Sequence, residues 1–289
     1  MENSITSTKE NKISGLSLFK KNVYSQFGED GIIEKIFETI KDGDKWCVEF
    51  GAADGVFCSN TYNLTKNFDW NAVLVEASRS SFEKLKEAHR NSKNSILINK
   101  FVEFEGENKL DSILSETPIP RNFDFLSIDI DGNDYYIWES LVQYRPKVVL
   151  IEFNPTIPDS VDFVQPKNMS VTQGSSVSAI ARLGKKKDYE LVAVTDSNAV
   201  FVDKKYFELF DIKDNSISTL REVHKYETVF FQLYDGTIVI QGLDKLFWHE
   251  LNLNDTIQII PKMFRKYPGN LHGLRKFFYK VFKFFRKRL

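Results

Sequence analysis

A short apolar strand followed at once by a turn of small residues constrains this chain more than any other stretch. The run from Trp46 to Phe50 is apolar apart from Glu49 and rich in strand formers, which predicts a largely buried parallel strand. The turn that follows, Gly51-Ala-Ala-Asp-Gly55, has no bulky side chain, and its glycines let a ligand approach the main chain closely. Strands that end in such turns form the nucleotide crevice of open α/β sheets.

The spacing of the two glycines excludes one class of nucleotide site. They fall as G-x-x-x-G and not as G-x-G-x-x-G, so the turn lacks the dinucleotide fingerprint and its seat for a pyrophosphate. A second apolar strand, residues 72–75, ends in Glu76. An acid at this place accepts hydrogen bonds from both ribose hydroxyls of an adenosyl group. The alternative is that Glu76 caps the helix that follows it.

Apolar runs alternate with helical patterns over the first two thirds of the chain. Further strands are predicted at residues 96–98, 123–131 and 148–155, which favours a mostly parallel sheet with right-handed crossovers. The segments 189–194 and 199–202 are joined by a short turn-forming stretch, so they are predicted to pair as an antiparallel hairpin. The sequence therefore predicts an open α/β sheet that ends in a hairpin.

Four motifs resemble those of the FkbM-type S-adenosylmethionine (SAM)-dependent methyltransferases. They are Tyr-Ser-Gln-Phe-Gly-Glu-Asp at 24–30, Glu-Phe-Gly-Ala-Ala-Asp-Gly at 49–55, Ser-Asn-Thr at 59–61 and Asp-Ile-Asp-Gly-Asn-Asp at 129–134. The resemblance spans roughly residues 24–202. It implies a Rossmann-like class I methyltransferase fold and O-methylation of sugars or other small hydroxylated molecules.

The resemblance also implies a site for SAM. Glu76 would hold the ribose, and Asp129 and Asp131 would lie on the floor of the reaction centre. The predicted cofactor-binding residues are Gln26, Glu49, Gly51, Ala53, Asp54, Gly55, Glu76, Ala77 and Asp129. This chain departs from the family pattern Asp-x-Glu-Gly-x-Glu, which reads Asp-x-Asp-Gly-x-Asp here. Its second and third acids are one methylene shorter and reach less far.

Polar residues at two strand ends are the candidate catalytic groups. Asp129 and Asp131 would point to the same side by strand alternation, and Glu152 and Asn154 end the next strand. Methyl transfer requires an aligned acceptor oxygen and removal of its proton. Asp131 or Glu152 is the candidate base. Alternatively, Mg²⁺ held by Asp129, Glu152 and Asn154 lowers the pKa of the acceptor hydroxyl. We favour the version without a metal.

The charge distribution separates the end of the chain from the rest. Residues 256–289 hold ten Lys/Arg and no Asp or Glu, whereas the remainder holds 29 Lys/Arg against 40 Asp/Glu. An acidic body argues against general nucleic-acid binding.

The tail has helical spacing of apolar residues, at Leu274, Phe277, Phe278, Val281, Phe282, Phe285 and Leu289. Its basic residues are Arg275, Lys276, Lys280, Lys283, Arg286 and Lys287. This pattern indicates an interfacial membrane helix or, alternatively, a helix docked on the protein itself or on a partner.

These features predict a polar segment at 1–22, a methyltransferase domain at 23–210, an extension packed on it at 211–260 and a basic tail at 261–289. The start of the chain has no secretory pattern, and no apolar run is long enough to span a bilayer. We expect a cytoplasmic protein, or one peripheral on the inner face of the membrane. We expect an O-methyltransferase acting on a sugar hydroxyl of a surface glycan or its lipid-linked precursor. The alternatives are a small-molecule O-methyltransferase and a non-catalytic subunit that anchors an assembly at the membrane.

Overall fold

The computed structural model describes residues 15–41, 43–222, 226–253 and 257–287. The chain forms two compact units, residues 1–223 and 224–289, called here the N-terminal and the C-terminal unit. The structure does not divide at the predicted boundary after residue 210. Leu220 is buried in the core of the N-terminal unit, and Ile212 and Ile217 pack against that core. The other predicted boundaries stay predictions.

A seven-stranded sheet forms the centre of the N-terminal unit. Its strands are β1 (Trp46–Phe50), β2 (Asn71–Val75), β3 (Ser95–Ile98), β4 (Phe125–Ile128), β5 (Val148–Glu152), β6 (Tyr189–Val194) and β7 (Asn198–Asp203). The strand order is β3-β2-β1-β4-β5-β7-β6. Strands β1 to β5 are parallel, and β7 runs antiparallel to both β5 and β6. The predicted open, mostly parallel α/β sheet with its terminal antiparallel hairpin is therefore confirmed.

Helices cover both faces of this sheet. They are α1 (Glu29–Ile40), α2 (Tyr62–Asn67), α3 (Arg79–Ala88), α4 (Leu110–Ser115), α5 (Asp134–Ser140), α6 (Val177–Lys186) and α7 (Ile217–Leu220). Neighbouring residues of β1 point to opposite faces, so Val48 and Phe50 pack in one apolar cluster and Cys47 packs in the other. A sheet buried on both faces explains why its strands are almost continuously apolar in sequence.

The motif at residues 24–30 ties the start of α1 to the rest of the unit. One carboxylate oxygen of Asp30 accepts hydrogen bonds from three consecutive backbone amides, those of residues 23–25, at 2.7–2.8 Å. Glu29 is fully buried and accepts hydrogen bonds from Thr195 (2.6 Å) and Asn198 (3.0 Å) in the β6–β7 turn. Both acids therefore stabilise the fold.

The C-terminal unit consists of small elements. Two antiparallel pairs are formed by β8 (Thr228–Gln232) with β9 (Ile238–Gly242) and by β10 (Lys245–Leu246) with β11 (Leu251–Asn252). Residues 233–237 form the turn between β8 and β9. A 14-residue helix, α8 (Gly273–Arg286), confirms the predicted tail helix, while Leu289 lies outside the described residues.

None of the helices in the described ranges is long and apolar enough to cross a membrane.

Candidate functional site

A cleft of about 590 Å³ opens at the carboxyl ends of β1, β2 and β4. The strand order reverses on either side of β1, and open α/β sheets bind their ligands at such a switch point. The volume is in the range of small-molecule sites. The cleft is lined by Glu49, Gly51, Ala52, Ala53, Phe57, Cys58, Ser59, Val75, Glu76, Ala77, Ser78, Ser81, Lys100, Phe101, Val102, Asp129, Ile130, Asp131, Asn133, Met169 and Thr172.

Gly51 allows the ends of β1 and β4 to approach each other. Its φ is +73°, and a Cβ atom built on it would lie 1.7 Å from the carbonyl oxygen of Asp129. No side chain fits in that gap, so the glycine is required by the contact between two main chains as well as by its backbone angle. Gly55 serves a similar purpose against α3, where a Cβ would lie 2.3 Å from Leu85. Gly55 does not line the cleft.

Glu76 connects the glycine turn to the start of α3. Its carboxylate accepts hydrogen bonds from the backbone amides of Ala53 (2.8 Å) and Ser78 (2.6 Å), and Ser78 is the N-cap of α3. The helix-start interpretation of Glu76 is therefore correct in part. Glu76 also lines the cleft, and each of its oxygens accepts only one of these bonds. A further lone pair on each oxygen remains for a ligand hydroxyl.

Glu49 organises the loop at residues 59–61. It is buried in β1 and accepts hydrogen bonds from the hydroxyls of Ser59 (2.6 Å) and Thr61 (2.7 Å) and from the backbone amide of Asn60 (2.8 Å). Burial raises the pKa of Glu49, and these hydrogen bonds oppose the rise. The Ser59 hydroxyl oxygen in turn accepts the backbone amides of Thr61 (3.2 Å) and Tyr62 (3.0 Å) at the start of α2, whereas the Thr61 side chain makes no cap bond.

Three carboxylates meet at the end of β4 and β5. One oxygen each of Asp129, Asp131 and Glu152 lies within 4.8 Å of the others, and this is the only such group of acids, cysteines or histidines among the described residues. The predicted reason for the placement of Asp129 and Asp131 was wrong. Strand β4 ends at Ile128, and Asp131 has a left-handed φ of +56° in the turn that follows. The turn, and not strand alternation, brings the two carboxylates together.

Asp134 holds that turn in shape. Its two carboxylate oxygens accept hydrogen bonds from the backbone amides of Ile130 and Gly132, each at 2.9 Å. Burial raises the pKa of Asp134 to about 6, and its backbone hydrogen bonds oppose the rise. Although Asp134 belongs to the motif at residues 129–134, it was not among the predicted site residues. Its bonds to the main chain give it a structural role.

A hydrogen bond joins the side chains of Asp129 and Glu152. Burial raises the pKa of Glu152, and the charge of Asp129 raises it further. Burial, followed by the charges of Asp134 and Asp131, also raises the pKa of Asp129. Two carboxyl groups this close cannot both ionise readily, so Glu152 keeps the proton at neutral pH and donates it to Asp129. A carboxyl that holds its proton is a poor base, which weighs against Glu152 in that role.

Asn154 does not complete the predicted Mg²⁺ ligand set. Its side-chain oxygen accepts hydrogen bonds from the amide and the hydroxyl of Thr156 (3.0 and 2.7 Å), and its amide nitrogen donates to the Gln173 carbonyl (2.7 Å). Both lone pairs of that oxygen are thus engaged. The third oxygen ligand beside Asp129 and Glu152 would come from Asp131. Hard carboxylate oxygens suit Mg²⁺, but the same geometry serves a shared proton.

The loop between β5 and α6 reaches the cleft with Met169 and Thr172. Gln165 fixes it, because its side-chain oxygen accepts the backbone amides of Gln173 and Gly174 (3.0 and 2.9 Å). The side-chain amide of Asn133 donates a hydrogen bond to the Val171 carbonyl of this loop at 3.1 Å. The Asn133 side-chain oxygen is buried and has no hydrogen-bond partner among the described residues. It offers a ligand one unused acceptor.

The base of the loop between β5 and α6 is bound by Arg221, which lies near the C-terminal end of the N-terminal unit. The Arg221 guanidinium pairs with Asp159, donates to the Pro155 carbonyl at 3.1 Å and stacks over the Phe153 ring. Arg221 is itself almost fully buried. The loop between β5 and α6 is thus anchored at its base by Arg221 and folded on Gln165.

The predicted site residues divide into two groups. Those that line the cleft are Glu49, Gly51, Ala53, Glu76, Ala77, Asp129 and Asp131; those that do not are Gln26, Asp54, Gly55, Glu152 and Asn154. Gln26 is exposed to solvent. Asp54 caps its own turn by accepting the backbone amides of Val56 (3.0 Å) and Phe57 (2.9 Å). Their roles in binding a cofactor stay predictions.

The sequence interpretation missed part of the lining. Lys100, Phe101 and Val102 follow β3 directly, at the same sheet edge as Glu76, and this position was a usable signal. Asn133 lay within a recognised motif. Met169 and Thr172 come from an irregular loop, for which no periodic signal exists.

Comparison with known proteins gives structural similarity only. No family model and no curated protein matches the chain. Among solved structures, a SAM-dependent methyltransferase from Aquifex aeolicus is 12% identical, with 58% of this chain and 87% of that chain covered and a TM-score of 0.35. The N-terminal domain of EvdMO1, with SAH bound, is 8% identical over 60% and 79% of the two chains, with a TM-score of 0.39. M. jannaschii TYW2 in complex with AdoMet is 12% identical over 63% and 79%, with a TM-score of 0.36. At these values, the function has to be inferred from the cleft.

Proposed function

We propose that the N-terminal unit is a SAM-dependent O-methyltransferase. The observation that carries this proposal is the cleft at the switch point, where Glu76 and the main chain of the Gly51 turn face an acidic floor. SAM has a ribose diol, an adenine ring and a positively charged sulfonium. Glu76 suits the diol, and the acids at the floor attract the cation. Phe101 and Val102 offer apolar surface for the ring.

The acids also provide the proton chemistry of methyl transfer. The sulfonium of SAM supplies the methyl group. The acceptor oxygen forms a bond to the methyl carbon while the carbon–sulfur bond breaks, and the acceptor proton goes to Asp129. The raised pKa of Asp129 suits a general base working near neutral pH. Glu152, through its hydrogen bond, holds the Asp129 carboxylate in position.

Two substitutions test this division of roles. Asp129→Asn removes the base, so kcat at saturating SAM should fall about 10²- to 10⁴-fold. Glu152→Gln keeps a hydrogen-bond donor to Asp129, so its loss of kcat should be at least tenfold smaller. Equal losses in both variants would contradict the assignment of Asp129 as the base.

We infer that the acceptor is a sugar hydroxyl of a surface glycan or of its lipid-linked precursor. The support is the exposed Asp131 carboxylate in the cleft, which can accept hydrogen bonds from hydroxyl groups. A small aromatic hydroxyl compound is the alternative acceptor. A screen of methyl transfer to nucleotide sugars, glycans and catechols distinguishes them. Turnover with catechols alone would contradict the inference.

Two further alternatives have direct tests. If Mg²⁺ at Asp129, Asp131 and Glu152 activates the acceptor, excess EDTA abolishes turnover; the metal-free mechanism predicts full activity in EDTA. If the protein is a non-catalytic subunit, it shows no turnover with any acceptor although SAM still binds.

A further inference from the structure

The C-terminal helix exposes a continuous apolar face. In α8, six large apolar side chains are between 38% and 77% exposed: Leu274, Phe277, Phe278, Val281, Phe284 and Phe285. At 3.6 residues per turn they fall within an arc of about 120°. An apolar stripe of this width normally faces a protein core. Here it faces outward.

The helix is attached to its own unit by a different side. The rings of Tyr279 and Phe282 each lie 5.9 Å from the ring of Phe264, which is buried. Phe282 was predicted to belong to the apolar face, but it packs inward and Phe284 takes its place. Because separate residues make the internal contact, the exposed face is not needed to hold α8 on its unit.

Outside the exposed apolar face, α8 and its C-cap residue carry six cations beside Tyr279 and Phe282. The cations are Arg275, Lys276, Lys280, Lys283, Arg286 and Lys287. Residues 256–289 contain no acid at all, so no acidic side chain of this segment neutralises them. A helix with an exposed aromatic face, and with only cations among its charged side chains, suits the boundary between the headgroups and the acyl chains of an anionic lipid layer.

We propose that α8 binds anionic lipid surfaces in the plane of the membrane, with its exposed apolar face inserted between the acyl chains. Leu274, Phe277, Phe278, Val281, Phe284 and Phe285 enter the lipid, and the flanking Lys and Arg side chains contact the headgroups. The charge favours lipid over a protein partner as the occupant, because one uniform sign matches a uniformly anionic surface. The proposal does not depend on the proposed enzymatic function.

Sedimentation of the full-length protein with vesicles tests this proposal. The protein should pellet with phosphatidylcholine vesicles that contain one quarter phosphatidylglycerol and stay in the supernatant with phosphatidylcholine alone. Raising the salt concentration should weaken binding, because salt screens the charges. Equal binding to both vesicle types, or to neither, would overturn the proposal.

A pair of double variants shows whether the apolar face is responsible. Phe277→Ser with Phe285→Ser should lower the partition coefficient on anionic vesicles at least about tenfold, which corresponds to about 1.4 kcal/mol. The matched control is Val142→Ser with Leu209→Ser, two exposed apolar residues of the N-terminal unit, and it should bind as the wild type does. Circular dichroism checks that α8 stays helical. Loss of binding in both double variants would overturn the proposal. A wild-type dimer in solution that only the α8 double variant dissociates would also overturn it, because a second copy of the chain would then cover the apolar face.

Discussion

The two units of this protein use their apolar residues in opposite ways. The N-terminal unit buries them on both faces of the sheet, from Ile32 in α1 to Phe201 in β7. In the described part of the C-terminal unit, the only buried apolar side chains are Phe264 and Leu271. Burial of apolar surface is the main driving force of folding. The N-terminal unit therefore contains its own source of stability, whereas the C-terminal unit presents apolar surface to its surroundings.

The largest expected contrast is between two phenylalanines. Phe123 is fully buried in the core of the N-terminal unit, and Phe285 is 64% exposed on α8. Phe123→Ala should lower the free energy of unfolding by about 3–5 kcal/mol, because it removes apolar contacts and leaves a cavity. Phe285→Ala should change it by less than about 0.5 kcal/mol. Urea denaturation measures both, and a cost above 2 kcal/mol for Phe285→Ala would contradict the contrast.

A smaller loss is expected where two main chains touch in the cleft. Gly51→Ala places a Cβ 1.7 Å from the Asp129 carbonyl oxygen and should cost about 2–4 kcal/mol through strain and overpacking. Gly106→Ala is the matched control, because Gly106 also has a positive φ (+76°) but has nothing within 4 Å of the added atom. Its cost should be about 1 kcal/mol. Similar melting temperatures for the two variants would show that the contact between β1 and β4 is unimportant.

The shared proton predicts a pH dependence of stability. Because the folded state holds the proton of Glu152 above the ordinary carboxyl pKa, stability present at about pH 4 is lost as the pH rises toward neutral. The slope is at most about 1.4 kcal/mol per pH unit for one proton. Glu152→Gln removes this titration, so its unfolding free energy should fall less steeply between these pH values. Identical slopes for the variant and the wild type would mean that Glu152 is ionised in the fold.

The smallest effect concerns how the helices begin. Ser176 is the N-cap residue of α6, and its hydroxyl oxygen accepts the backbone amide of Ala179 at 3.2 Å. His272 is the N-cap residue of α8, and its side chain makes no cap bond. Ser176→Ala should cost about 1 kcal/mol, and His272→Ala should leave thermal unfolding unchanged. An equal shift in both variants would show that α8 is as tightly coupled to global unfolding as α6.

The sheet could be predicted because each of its strands has a strong local signal. Continuous apolar runs such as residues 148–151 encode buried parallel strands, and the turn at 195–198 encodes the hairpin. The meeting of Asp129 and Glu152 followed from the shared edge of parallel strands. The fold and the floor of the cleft were therefore accessible from the sequence.

The other features of the site and of the two units depend on contacts that leave no periodic pattern in the sequence. Thr156 engages the Asn154 oxygen, and Gln165 folds the loop that carries Met169 and Thr172 into the cleft. Likewise, the N-terminal unit includes residues beyond 210 because Leu220 is buried in its core. The periodic pattern of α8 predicted the helix, but the side that packs on Phe264 could be identified only in three dimensions.

The most direct test of the central claim is calorimetric titration of SAM into wild-type protein and into Glu76→Gln. We predict micromolar binding to the wild type and at least about tenfold weaker binding to Glu76→Gln, because one acceptor of the ribose hydroxyls becomes an amide donor. Glu87→Gln, on the exposed side of α3, should bind as the wild type does. No binding to the wild type, or equal affinity in Glu76→Gln, would contradict the assignment of the cleft as a SAM site.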